Sequence, residues 1–163
     1  MVRYADTPIV ELTVDIAAPP AVVWELIKDI NLPAQFSTEF QGADWLDNAS
    51  PALGSRFVGR NGHGIAGSWE TTCTVIWFEP LRSFGYAVED VDSPAAKWRF
   101  DLQPSPVGTQ LTMWAQMGPG RSGVSWFIYK NPDHEEEIMA NRLEEWRTNM
   151  TATLDGIKSL AEG

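Results

Sequence analysis

Few side chains in this chain can do chemistry, and they are scattered. Tyr86 sits in a run with strand alternation and can donate a hydrogen bond to a carbonyl or enolate, the role of a general acid in ring-closing chemistry. Asn61 can orient a carbonyl, although directly before Gly62 it also suits a turn. His63 is one of only two histidines. It falls in the Gly-rich stretch 61–67, where an exposed loop histidine is the first reading and a general base would need a partner that the local sequence does not supply. Cys73 has no basic neighbour to lower its pKa and reads as an inert buried thiol. His134, Glu135 and Glu137 have metal-ligand types, but only His134 and Glu137 share a helical face and no second cluster completes a shell. A capped acidic helix start explains them, with Asp133 and Glu136 as a capping box, and no metal is expected. The glycines around 61–67 precede neither a Lys-Ser or Lys-Thr pair nor a helix, so a phosphate loop is not expected. Of the arginines, Arg56, Arg60, Arg99, Arg121 and Arg142 read as solvated, and Arg142 alone lies close enough to an apolar helix stripe to reach a ligand carboxylate.

These residues need elements to position them, and the strongest is the C-terminal run 131–163. Met139, Leu143, Trp146, Met150, Leu154, Ile157 and Ala161 recur at spacings of three and four and form one stripe of a long amphipathic helix. At about 1.5 Å per residue it spans roughly 40 Å, enough to cross the sheet of a small domain. Upstream, 9–17 alternates with Val10, Leu12, Val14 and Ile16 on one face, and Pro20 opens a short helix carrying Val23, Trp24, Ile27 and Ile30. Residues 32–40 read as a second short helix or turn with Phe36 and Phe40 on one face. Strands are then expected at 42–48, 54–61, 68–79, 81–89, 96–103 and 110–117, separated by Gly, Pro, Asn and Asp turns. Within 68–79 the alternation groups Trp69, Thr71, Cys73, Val75 and Trp77. Residues 124–130 read as an aromatic helical turn packed under the mouth of the fold.

The chain has 163 residues, 44% of them hydrophobic, with no linker, repeat or low-complexity stretch, which fits one domain spanning 1–163. A formal net charge of -10 disfavours nucleic acid and anionic lipid surfaces. No apolar run approaches a membrane span, and the single cysteine cannot form an internal disulfide, so a soluble cytoplasmic protein is expected, as monomer or homodimer.

Three stretches carry a resemblance. They are Val-Asp-Ile-Ala-Ala-Pro-Pro-Ala-Val-Val-Trp-Glu-Leu-Ile-Lys-Asp at 14–29, Val-Ile-Trp-Phe-Glu-Pro-Leu-Arg-Ser-Phe-Gly-Tyr at 75–86, and the final helix. Together they resemble the START-like (SRPBCC) superfamily, in particular its bacterial polyketide cyclase/dehydrase-like members. The resemblance implies an α+β helix-grip fold: a seven-stranded antiparallel sheet curled around the C-terminal helix, two short helices after the first strand, and an apolar cavity in between. Relatives include polyketide aromatases and cyclases, lipid-transfer and quinone-binding proteins, plant hormone and allergen proteins, and co-chaperones. The implied cavity wall is Phe57, Trp69, Thr71, Cys73, Tyr86, Trp98, Phe100, Met113 and Met117 from the strands, with Met139, Leu143, Trp146 and Met150 from the helix; Phe84 and Asn61 share those strand faces. Such a wall fits a hydrophobic or amphipathic small molecule without a cofactor. Two other functions remain open: a cyclase or dehydratase using Tyr86, Asn61 or His63, and a protein-interaction module using the convex sheet face.

Overall fold

The computed structural model describes all 163 residues. Its elements are β1 (Ile9–Ile16), α1 (Pro20–Ile27), β2 (Phe40–Trp45), β3 (Arg56–His63), β4 (Gly67–Glu79), β5 (Ser83–Val88), β6 (Ala96–Ser105), β7 (Gly108–Met117), α2 (Gly123–Lys130) and α3 (Glu135–Glu162). Short 3-10 turns cover Tyr4–Asp6, Leu32–Gln35 and Pro132–His134. The strands form one antiparallel sheet in the order β1-β7-β6-β5-β4-β3-β2. Only β1 and β2 are far apart in the sheet though adjacent in sequence, and α1 with the turn after it makes that crossing. This is the architecture the resemblance implied. No helix is long and apolar enough to cross a membrane.

One face of the sheet is covered by α1 and α3. Along β1, Val10 and Ile16 are buried while Glu11, Thr13 and Asp15 stay exposed, the signature of a strand wet on one side. The inner faces of all the strands, α1 and the apolar stripe of α3 then share one core, in which Ile16, Val23, Leu111, Met139 and Ile157 have no accessible surface. Pro20 occupies the first turn of α1, where its missing N–H leaves nothing unpaired. Gly156 lies inside α3, toward its C-terminal end, where Phe36 presses against it; a Cβ there would come within 2.3 Å of the ring.

Several expectations change. A register shift between Val75 and Trp77 adds one residue to β4, so Trp77 leaves the face of Trp69, Thr71, Cys73 and Val75 and points to the convex side. Phe78 takes its place inward, edge-on to Trp24 and Phe84. On the convex side the Arg99 guanidinium lies over both Trp77 and Trp114, 4.8 and 4.6 Å from the ring centres, with its Nε 2.7 Å from Asp101. It is therefore held between rings rather than solvated. Phe36 and Phe40 do not share a helix: the helical turn stops at Gln35, and Phe40 opens β2 and covers Gly59. The aromatic segment 124–130 is helical, but Trp126 and Tyr129 are 55% and 78% exposed rather than packed beneath the fold. At the start of α3 the N-cap is His134, with no side-chain cap, so the capping box on Asp133 does not form. Glu135, Glu136 and Glu137 do occupy the first turn, and Glu135 accepts the Tyr4 backbone N–H at 3.0 Å.

Candidate functional site

The sheet delivers the expected wall residues to one concave surface, and most of them are packed. Phe57, Cys73, Phe100, Met113, Met117, Met139, Trp146 and Met150 are all buried. The remaining five, Trp69, Thr71, Tyr86, Trp98 and Leu143, face the same interior yet keep accessible surface. Rings order this region: Trp98 of β6 lies 4.6 Å from Trp146 of α3, and Phe57 stands edge-on to Tyr86 at 4.9 Å. Cross-strand register explains the grouping, since Tyr86 is paired with Val75 on one side and Trp98 on the other.

Tyr86 is the notable polar group here. Its hydroxyl makes no hydrogen bond to any protein group, and burial among the rings holds its pKa well above the usual phenol value, with Cys73 adding to the effect. It therefore stays a neutral donor across the biological pH range. Asn61 shares the inward face of β3 with Phe57, opposite Trp69, and it lies in the strand two residues before the turn. Cys73 is buried, and desolvation pushes its thiol up to about 12, with the Thr71 hydroxyl 3.9 Å away acting in the opposite direction; it is no nucleophile.

His63 is not the exposed loop residue the sequence suggested. It is the last residue of β3, and its Nε2 lies 2.6 Å from the Glu145 carboxylate of α3. Its Nδ1 accepts the backbone N–H groups of Ile65 and Ala66 at 3.1 and 3.4 Å. This pattern assigns the proton to Nε2, which donates to Glu145. With both nitrogens committed, His63 has no free lone pair to act as a base. Beside it, Arg142 forks onto Glu39 at 2.5 and 2.8 Å, both side chains being only 16–17% exposed, and Thr38 donates its N–H and hydroxyl to Asn149. Burial opposes the charge on Arg142, but Glu39 and then Glu145 outweigh it and hold the pKa above the usual value. Arg142 is thus a paired residue, not a solvated one.

Glu39, His63 and Glu145 bring one donor atom each within 4.8 Å of one another, the residue types of a metal centre. Arg142 and the His63 N–H already occupy those carboxylates, so the cluster is an ion-pair network. His134 and Glu137 form a separate exposed pair at 3.7 Å on the first turn of α3. Glu39 and Glu145 escaped notice in the sequence because their partners are distant in it; only the spacing Arg142, Glu145, Asn149, which marks a second helical stripe beside the apolar one, hinted at them.

The network borders an open cleft of about 930 Å³ between the β3–β4 hairpin, residues 38–41 and α3, lined by thirteen residues of which none is hydrophobic. A second cleft, about 650 Å³, is bounded by Pro20, Pro80, Arg82 and Asp101. Neither is lined by the expected ligand-binding residues.

Comparison with known proteins agrees with this architecture. The sequence profile described as polyketide cyclase/dehydrase and lipid transport matches residues 7–162. The solution structure of the Polyketide_cyc-like protein Cgl2372 from Corynebacterium glutamicum is similar at 32% identity, covering 93% of this chain and 90% of that one with a TM-score of 0.66. The di-domain ARO/CYC proteins BexL, from the BE-7585A biosynthetic pathway, and StfQ, from the steffimycin pathway, superimpose with TM-scores of 0.71 and 0.72. Their identities are 20% and 10%; 96% and 94% of this chain correspond to half of each, which makes the likeness one of fold. No curated protein matches the sequence. A profile match over nearly the whole length, joined to a grip of seven strands on one helix, places the chain in the polyketide cyclase/dehydrase and lipid transport family.

Proposed function

We propose that the protein binds a hydrophobic or amphipathic small molecule between the concave sheet face and α3, carrying or sequestering it rather than transforming it. The observation that carries this reading is Tyr86: an inward-facing hydroxyl set among the Phe57 and Phe84 rings, with no protein partner and with accessible surface left for a ligand to meet. A ligand acceptor such as a carbonyl oxygen satisfies it. Trp69, Thr71, Trp98 and Leu143, the inward residues that keep accessible surface, supply an apolar bed, and Asn61 adds a second polar point. Catalysis has less support, because Tyr86 is held neutral with no base beside it, Cys73 is protonated, and His63 is fully bonded.

The test is uptake of Nile red, a neutral dye with a carbonyl, together with native mass spectrometry of freshly purified protein. The expected result is saturable binding and a retained mass, with Tyr86→Phe weakening the dye by about fivefold, the size of one hydrogen bond. A chain that retains no ligand and takes up no dye rejects the proposal. Release of a rearranged or dehydrated product from a poly-keto substrate would replace binding with the cyclase reading.

A further inference from the structure

The polar cleft has no place in the interior binding just described, yet it lies on the same hairpin. Gly62, His63, Gly67 and Ser68 line it at the hairpin tip, and the next residues down the two strands are the inward-facing Asn61, Trp69 and Thr71. The hairpin therefore carries polar residues at its tip and a more apolar inward face below it, the division of an amphipathic ligand. The charge of the outer end is one-sided. Glu39, Glu144 and Glu145 line it. No arginine or lysine lines it, and the arginines beside it on α3 are engaged: Arg142 forks onto Glu39 and stands 3.7 Å from Glu145, and Arg147 leans on Glu144 at 3.7 Å, while the His63 N–H is given to Glu145. Asn141 and Asn149 add amides and Thr148 a hydroxyl, so the lining can accept many hydrogen bonds but offers no free positive charge.

On the reading that the interior holds the apolar body of a ligand, we infer that this cleft holds its head, and that the head is a hydrogen-bond donor, hydroxyl or ammonium, and not a carboxylate or phosphate. An anionic head would meet Glu39, Glu144 and Glu145 in this cleft with no free cation lining it, and like charges at close range oppose binding.

The experiment compares amphiphiles that share a twelve-carbon chain. Monolaurin, dodecylammonium and dodecanoate, each below its micelle concentration, compete with Nile red for the wild-type chain. Monolaurin and dodecylammonium should displace the dye, with dodecanoate about tenfold weaker or worse. Glu144→Lys, at an exposed position, should close the gap between dodecanoate and monolaurin. Glu11→Lys makes the same change in net charge on the outer face of β1 and should leave the gap as it was. Dodecanoate competing as well as monolaurin, bound dye that no amphiphile displaces, or equal effects of the two lysine variants would overturn the head-group assignment and leave interior binding standing. Failure of the dye and all three amphiphiles to bind would remove the interior reading and this one together.

Discussion

The two flanks of α3 are held by different physics. On one flank Met139, Trp146, Met150, Leu154 and Ile157 are buried against β1, β7, α1 and the inner sheet, and almost nothing polar intervenes. One step around the helix, Arg142, Glu145 and Asn149 reach across to Glu39, His63 and Thr38 on the β2–β3–β4 wing, and almost everything there is polar. Burial on the first flank is non-directional and proportional to area, so it fixes the helix firmly to the sheet. Bridges on the second are directional, exchange with water, and yield a small net free energy each. The helix is thus anchored along one edge and laced along the other, and only the laced edge can part without exposing the core.

The widest test of this contrast is Trp146→Ala. Trp146 is 6% exposed and packs against Trp98 with the rings tilted at 45°. Truncation should cost about 3–5 kcal/mol in urea unfolding, the range for a large aromatic removed from a core. If the region around Tyr86 is a ligand pocket, the same variant should enlarge it and alter Nile red uptake in the fraction that stays folded. Loss of less than about 1 kcal/mol would mean that the anchored edge does not depend on its largest side chain.

Arg142→Met probes the laced edge. It leaves the Glu39 carboxylate, 17% exposed, without its cation. The expected loss is about 1–3 kcal/mol, the cost of an unsatisfied, partly buried group. Location separates it from the first variant more clearly than size does. Amide hydrogen exchange should quicken in the β3–β4 hairpin and residues 38–41, and stay slow in β1 and β7. Equal quickening in all four strands would show that the two edges open together and that the contrast is one of composition only.

These two edges were not equally legible in the sequence. The anchored edge follows from periodicity: the spacing from Met139 to Ile157 and the alternation of β1 and β7 each name a buried face without reference to any partner. The laced edge depends on pairs such as His63 with Glu145 and Glu39 with Arg142, which lie 82 and 103 residues apart. No local pattern encodes such a meeting, so His63 looked like a loop residue and Arg142 like a solvated one. Within the strands, alternation failed at Trp77 for a similar reason. A bulge adds one residue without changing composition, and every side chain after it turns over. Tyr86 was legible as an inward residue, but that its hydroxyl would find no protein partner was not, because partnership is a property of the packed interior.

A polar tie also exists at the anchored edge, and it sharpens the contrast by being nearly dispensable. The exposed Glu162 carboxylate at the end of α3 accepts the Ala17 N–H at 2.8 Å and Lys158 at 2.6 Å, while Lys158 also donates to the Asp15 carbonyl. The Ala17 hydrogen bond first, and Lys158 after it, hold the Glu162 pKa below the usual carboxylate value. A carboxyl depressed in the folded state favours folding above its unfolded pKa, and that contribution fades as pH falls through the folded value. Glu162→Gln should therefore lower stability slightly at neutral pH, with the difference from wild type shrinking to nothing in acid. Burial of Leu154 and Ile157 on the same helical turns fixes the helix end with or without the carboxylate, so the effect should be the smallest of the three. Thermal unfolding of the two chains across the acid range gives the answer. A difference that grows as pH falls would reverse the sign, and a loss as large as that of Arg142→Met would mean that the anchored edge, too, depends on its polar ties.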